Sequence, residues 1–270
     1  MYLDFYGFRE PPFNLTPDPR FLFLSDRHRE ALDALLFGIR ERKGFIQITG
    51  EVGAGKTTLC RAALERLGPE VRTALVLNPV LTPTQLLRTV LRELGLEPGR
   101  SDRASYLDQL NRFLLDEVAL GHCVVLLVDE AQDLPPELLE QVRLLSNLET
   151  DQHKLLQIVL VGQPELRAML DDPRLRQLRQ RITVRYHLGP LTRLESDHYI
   201  RYRLGIAGAD GRPSLSRWAL WRIHRYAGGV PRLINAVCDT TLLCGYVEGT
   251  DDLRLRHVRR AVRELEGGRR

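Results

Sequence analysis

Lysine is nearly missing from this chain: Lys43, Lys56 and Lys154 are the only three in 270 residues. Its positive charge is carried almost wholly by arginine. Cysteine is also sparse. Cys60, Cys123, Cys238 and Cys244 form no Cys-x-x-Cys pair. That spacing argues against a redox or zinc motif and leaves small core side chains of a reducing compartment. No run of 18 or more apolar residues occurs, so no membrane-spanning helix is expected. The opening "MYLDFYGFREPPFN" carries acids, an early arginine and two prolines, and does not read as a secretory signal. A cytoplasmic location is the expectation. Internal repeats and low-complexity segments are missing as well.

Enough is present for a sizeable core and a smaller appended domain. Hydrophobic residues make up 43 % and charged residues 27 %. The net charge of +4 is unevenly spread. From Asp171 onward there are 20 basic and 11 acidic side chains, so the remainder is net acidic. A basic C-terminal part is suited to nucleic acid or acidic lipid. It reads equally well as arginine-rich, solvated helix faces, and both readings stay open.

Residues 1–25 are rich in proline and phenylalanine and lack periodicity, which predicts an ordered arm or loop. A helix follows, capped by Ser25 or Asp26, with Ala31, Leu32, Leu35, Leu36 and Ile39 at helical spacing. Five short apolar strands are then expected: "GFIQIT", Thr73–Asn78, "CVVLLVDEAQDL", which ends in acids, "LLQIVLVGQPE" and "ITVRYHL". Helical stretches alternate with them, the last one broken near Pro173. Strands apolar on both faces, separated by helices, predict an α/β domain with a five-stranded parallel sheet. From Thr192 to Gly267 only helices are expected, opened by the capping box Thr192-x-x-Glu195. The predicted division is an arm over 1–25, a core over 26–190 and a small all-helical lid over 191–270.

Gly50-x4-Gly55-Lys56-Thr57 matches the phosphate-cradling P-loop pattern. Its residues are Gly50, Glu51, Val52, Gly53, Ala54, Gly55, Lys56, Thr57 and Thr58. Glycines let backbone N–H groups turn inward onto oxygens, and the following helix points its positive end at phosphate. Lys56 would add a charge near the β- and γ-phosphates of ATP, and Thr57 a hydroxyl to Mg²⁺. In "CVVLLVDEAQ", Asp129 stands at the carboxyl end of a buried strand, where open α/β sheets hold ligands. It would hold Mg²⁺ through water, and Glu130 would polarise the attacking water as general base. Gln132 and Asp133 either relay the nucleotide state or solvate the next helix. Gln163, after the fourth strand, is a candidate γ-phosphate sensor, or else a turn-forming residue before Pro164. Arg179 and Arg181 stand just before the fifth strand, where one of them could reach a neighbouring subunit's γ-phosphate. Arg232, at a lid-helix start, could close over the same phosphates from within the chain. The alternative for these arginines is a surface ion pair of little energetic weight.

Taken in order and spacing, "GEVGAGKTT", "LLVDEAQ", "LVGQPEL", "LRQRI" and "GGVPRLIN" resemble the AAA+ ATPases of the ExeA/GspA group (general secretion pathway protein A, MshM-like). The N-terminal "PFNLTPDPRFLFLSDRHREAL" is the most group-specific stretch. The resemblance covers essentially the whole chain. It implies a P-loop AAA+ core with a helical lid, ATP with Mg²⁺ at the lid–core cleft, and a homo-oligomeric ring or filament. It maps Gly50–Thr58 to Walker A, Asp129 and Glu130 to Walker B, and Gln163 to sensor 1. Arg179 and Arg181 map to the arginine-finger region and Arg232 to sensor 2. Gln163 departs from the Asn or Thr commonest at its place. Members of this group usually continue into a membrane helix and a periplasmic part; ending at Arg270, this sequence is expected to match shorter soluble relatives. It is also similar to the TnsC/TniB transposition ATPases. Three readings follow: an ATP-hydrolysing motor or switch in secretion, pilus or exopolysaccharide assembly; a double-stranded-DNA-binding transposition regulator; and a nucleotide-dependent scaffold.

Overall fold

The computed structural model describes residues 2–14, 18–77, 81–99, 102–149 and 154–267. A short helix α1 (Tyr2–Tyr6) opens the chain, and a 3-10 turn (Pro19–Phe21) precedes α2 (Asp26–Arg40). Then come β1 (Phe45–Gly50), α3 (Lys56–Glu65), β2 (Val71–Val76), α4 (Pro83–Glu93), α5 (Arg103–Ala119) and β3 (Cys123–Val128). They are followed by α6 (Pro136–Leu145), β4 (Leu156–Gly162), α7 (Pro164–Leu170), α8 (Arg176–Arg181) and β5 (Ile182–Leu188). The last stretch holds α9 (Arg193–Ile206), β6 (Ser214–Leu215), α10 (Arg217–Ala227), α11 (Pro231–Val247), β7 (Asp252–Leu253) and α12 (Leu255–Leu265).

The chain packs into two compact units. One comprises Arg29–Gly50 and Leu59–Leu188; the other comprises Met1–His28, Glu51–Thr58 and Gly189–Arg270. In the first, five parallel strands run in the order β2-β3-β4-β1-β5. The central strands β1 and β4 are buried along their whole length, and β3 in all but its first residue. The edge strands β2 and β5 alternate buried with more exposed positions. That contrast is what apolar runs buried on both faces and half-solvated edges produce. All five expected strands and the break at Pro173 are found. β2 begins two residues before its expected start, and Asn78, at its expected end, lies outside the described residues.

The second unit has its own apolar core, in which Tyr6, Phe8 and Phe13 of the arm join Tyr199, Ile223, Ile234, Val237 and Val258 of the helices. Burying those rings is worth roughly 2 kcal/mol apiece. The capping box is formed as expected: Glu195 N–H donates to Thr192 Oγ1, and Thr192 N–H to the Glu195 carboxylate. One correction concerns the all-helical reading: β6 and β7 pair in parallel over two residues each. Runs of two residues carry no periodicity from which a strand could be read.

The arm is tied down by polar contacts too. The buried Arg203 guanidinium donates to the carbonyls of Pro12 (2.6 Å) and Asn14 (3.1 Å) and stacks over Phe21 at 4.7 Å. Tyr6 Oη donates to the Leu242 carbonyl at 2.9 Å. No helix among the described residues is long and apolar enough to cross a membrane.

Candidate nucleotide site

The cradle leaves the end of β1 and turns into α3. Gly50 is fixed by its neighbour strand: a Cβ there would stand 2.6 Å from the Leu188 carbonyl oxygen. Gly53 and Gly55 adopt φ of +77° and +96°, a region open to glycine and strained for other residues. Gly53 also lies under the start of α11. Arg232 N–H donates to the Gly53 carbonyl at 3.2 Å, and a Cβ on Gly53 would meet the Arg232 Cβ at 2.3 Å. The structure thus brings Arg232 onto the cradle, in a helix-start position that leaves its side chain exposed. Lys56 is buried, and its ammonium donates to the Glu51 carbonyl at 3.0 Å.

A residue not singled out from the sequence supports the same loop. His28 is 3 % exposed. Its Nε2 lies 3.1 Å from the Ala54 carbonyl and its Nδ1 2.8 Å from Ser25 Oγ. A carbonyl only accepts, so Nε2 carries the proton and Nδ1 accepts from the serine hydroxyl. Burial holds the imidazole below the ordinary histidine range, although the Ala54 bond and Glu195 pull the other way. His28 is therefore a neutral strut between the first turn of α2 and the cradle.

At the carboxyl edge of the sheet, Gly50, Asp129 and Gln163 end or follow β1, β3 and β4, which are adjacent strands. Asp129 is buried, and one of its oxygens accepts the Glu130 N–H at 2.9 Å. Glu130 has φ of +49°, a left-handed conformation that costs a non-glycine residue about 1 kcal/mol or more. Its carboxylate accepts from Gln132 Nε2 at 2.8 Å and from Gln163 Nε2 at 3.3 Å. Gln132 Oε1 in turn accepts the Gln163 N–H at 3.0 Å. The structure thereby joins Glu130, Gln132 and Gln163 in one closed network, with Gln132 at its hinge.

The two expected finger arginines part company. Arg181 donates to Ser146 Oγ at 2.7 Å and is half-buried. Among the described residues the Arg179 guanidinium holds an exposed ion pair with Asp171, at 3.0 Å, and no other. It lines a cavity of about 270 Å³ with Arg167, Arg185 and His187.

Glycine geometry that a Cβ would destroy, a buried lysine and a helix beginning at Lys56 fit a nucleotide's phosphates. Thr57 and Asp129 each carry a side-chain oxygen, the donor type that Mg²⁺ takes in small number beside phosphate and water. Among the described residues no cluster of three or more His, Cys, Asp or Glu forms a protein-only metal cage.

The AAA domain family matches residues 39–170. Across 96 % of this chain and 72 % of the other, the fold superposes on an ORC2 protein from Aeropyrum pernix, solved as ADPNP-ADP complexes. The TM-score is 0.73 and the identity 20 %. A Thermotoga maritima RuvB structure aligns at TM-score 0.58 and 18 % identity, covering 90 % of this chain and 69 % of the other. At such identities these likenesses establish the fold. With the cradle, the sheet order and these matches in place, residues 39–170 carry an AAA domain and the chain has the AAA+ P-loop fold. More particularly, it is a relative of general secretion pathway protein A of Aeromonas hydrophila, 46 % identical over 268 residues. The match covers 99 % of this chain and 49 % of the relative, so the chain spans about half of that protein's length.

Proposed function

We propose that the chain binds ATP with Mg²⁺ on the cradle and hydrolyses it, working as an oligomeric switch or motor on the cytoplasmic side of a cell-envelope assembly system. The observation that carries the ATP reading is the cradle itself, with Gly53 and Gly55 in left-handed backbone and Arg232 and His28 braced against its carbonyls. The envelope part rests on the relative named general secretion pathway protein A. In this reading residues 1–25, 26–190 and 191–270 act as arm, core and lid.

Lys56 and the cradle amides hold the phosphates, and Thr57 and Asp129 supply the oxygens for the metal. Mg²⁺, when bound, neutralises phosphate charge. Glu130 takes the proton from the attacking water. Gln163 holds the Glu130 carboxylate and is the candidate sensor. Arg232 reads the phosphates within the chain. Arg179 is the better candidate to reach a neighbouring subunit, because its ion pair with Asp171 is exposed and worth about 0–1 kcal/mol. Arg181 already holds the Ser146 hydroxyl within its own chain.

Glu130→Gln tests the reading. It should bind ATP and barely turn over, and it should change oligomer size when ATP is added. Near-normal turnover would remove Glu130 as base. A second reading, a regulator on double-stranded DNA, is favoured by the basic C-terminal part and by the fold shared with a Drosophila ORC bound to DNA, at TM-score 0.72 and 16 % identity. ATP-dependent binding of that variant to duplex DNA, with a steep salt dependence, would move the conclusion to this second reading.

A further inference from the structure

Both tryptophans of the chain, Trp218 and Trp221, sit on α10. Ala219, Leu220, Ile223 and Ala227 form its buried side. At about 100° per residue, Arg217, Trp221, Arg225, Trp218 and Arg222 all fall within one arc of about 140° on the opposite side. Trp218 is 59 % exposed, and Trp221 and Arg222 beside it are half-buried. The helix carries no acidic residue. Arg217 lies over the Trp218 ring at 5.8 Å, Arg225 over Trp221 at 5.4 Å, and Arg222 over Tyr226 at 5.9 Å. Elsewhere in the same unit some exposed arginines are neutralised, as in Arg201–Asp197, Arg254–Asp252 and Arg260–Glu264, while Arg193 and Arg232 are in no ion pair among the described residues. Among the described residues none of the three on α10 makes an ion pair. The neighbouring α12 adds exposed Arg259 and Arg263, likewise outside the ion pairs of the described residues.

Single exposed apolar side chains are ordinary. Two adjacent indoles framed by three uncompensated guanidiniums are a surface with a chemistry. We propose that the outer face of α10 docks on an acidic phospholipid bilayer. The guanidiniums take headgroup phosphates, and the indoles settle at the headgroup–acyl boundary with their N–H groups toward polar oxygens.

Three features favour a bilayer over other anionic partners. The indoles meet edge to face, at 6.2 Å and 79°, and each already has an arginine over its ring, so they make no parallel platform for stacked bases. Phosphate contact on duplex DNA has no use for an indole. One convex helix face about 16 Å long is also too small for a stable protein interface of about 800 Å² per partner. A peripheral bilayer contact needs only a few anchoring side chains.

The test uses the full chain without nucleotide, so its outcome is independent of the ATPase reading. Phosphatidylglycerol-rich vesicles and pure phosphatidylcholine vesicles are titrated at rising salt, followed by co-sedimentation and tryptophan emission. Because both indoles lie on the face, emission reports that face directly. Expected are binding to the acidic vesicles alone, a blue shift, and release by salt. The triple variant Arg217→Gln, Arg222→Gln, Arg225→Gln should bind roughly a hundredfold more weakly, with an unchanged melting temperature as the control for folding. Quenching of the wild-type indoles by brominated phosphatidylglycerol is expected too and needs no variant. Equal binding to neutral vesicles, undiminished binding by the triple variant, or acidic-vesicle binding without a shift or quenching would overturn the proposal. So would single-stranded DNA shifting the emission at lower concentration than the vesicles.

Discussion

Replacing His28 by alanine should loosen the nucleotide cradle while leaving every residue of the P-loop pattern in place. His28 bridges Ser25 and the Ala54 carbonyl, and it is buried. Truncation leaves that carbonyl and the serine hydroxyl without their ring partner in a site too enclosed for free hydration. An unsatisfied buried group costs about 1–3 kcal/mol, and the vacated ring volume adds to it. The loss divides between stability and binding, since a loosened loop must be re-ordered when phosphates arrive. For about 2 kcal/mol, melting should fall by roughly 4–8 °C, or ATP should bind up to about thirtyfold more weakly, or both in proportion. Differential scanning calorimetry and a fluorescent-nucleotide titration measure the two. A His28→Ala protein with wild-type melting and wild-type ATP affinity would refute the strut. The same residue sets a pH dependence. Burial lowers its pKa from 6.5, so the folded state binds fewer protons than the unfolded one. Stability from this site is complete above that value and declines as pH falls from about 6.5 toward the lower folded-state pKa. His28→Gln should therefore show a flatter melting profile between neutral and mildly acid pH than the wild type.

Gln132→Ala removes the amide that links Glu130 to the Gln163 backbone. With a bond to a charged group worth about 1.5–3 kcal/mol, kcat for ATP should fall about tenfold or more with KM nearly unchanged; a pure KM effect would place Gln132 in nucleotide binding instead. Arg179→Ala should melt like the wild type yet lose the rise of specific activity with protein concentration, whereas Arg181→Ala should lower the melting temperature by loss of the Ser146 bond. Activity of the Arg179 variant that still climbs with concentration would exclude it as the finger. Gly245→Ala reverses the usual helix rule. Alanine is normally better by about 1 kcal/mol inside a helix, but here its Cβ would meet Leu253 Cδ2 at 2.3 Å and Tyr6 Oη at 2.5 Å. Destabilisation of about 1–3 kcal/mol is expected by calorimetry, and a stabilised variant would show that the arm yields without cost.

What could be read from the sequence is what local physics dictates. Strands buried on both faces announce themselves as unbroken apolar runs, and a phosphate cradle needs glycines at fixed spacing. Thr192 and Glu195 form their capping box from residues three apart. What escaped reading depends on contacts made across long stretches of chain. His28 stands third in a helix, where nothing local distinguishes a strut from a solvated ring; its partner Ala54 lies 26 residues away. The arm could be read only as an ordered arm or loop, without its packing, because its anchors, Tyr6, Phe8 and Phe13, follow no helical or strand period. They are ordered by a core built mostly of helices near the other end of the chain and by Arg203, which reaches carbonyls 191 and 189 residues distant. Gln132 had two readings in sequence, relay or helix solvation, and only geometry puts its amide between Glu130 and Gln163. The left-handed backbone of Glu130 was equally hidden, since glutamate has no preference for it. That strain falls on the residue assigned as base and is held in place by two glutamines, which makes the Glu130–Gln132–Gln163 network, more than the cradle motif, the place where substitutions should separate binding of ATP from its hydrolysis.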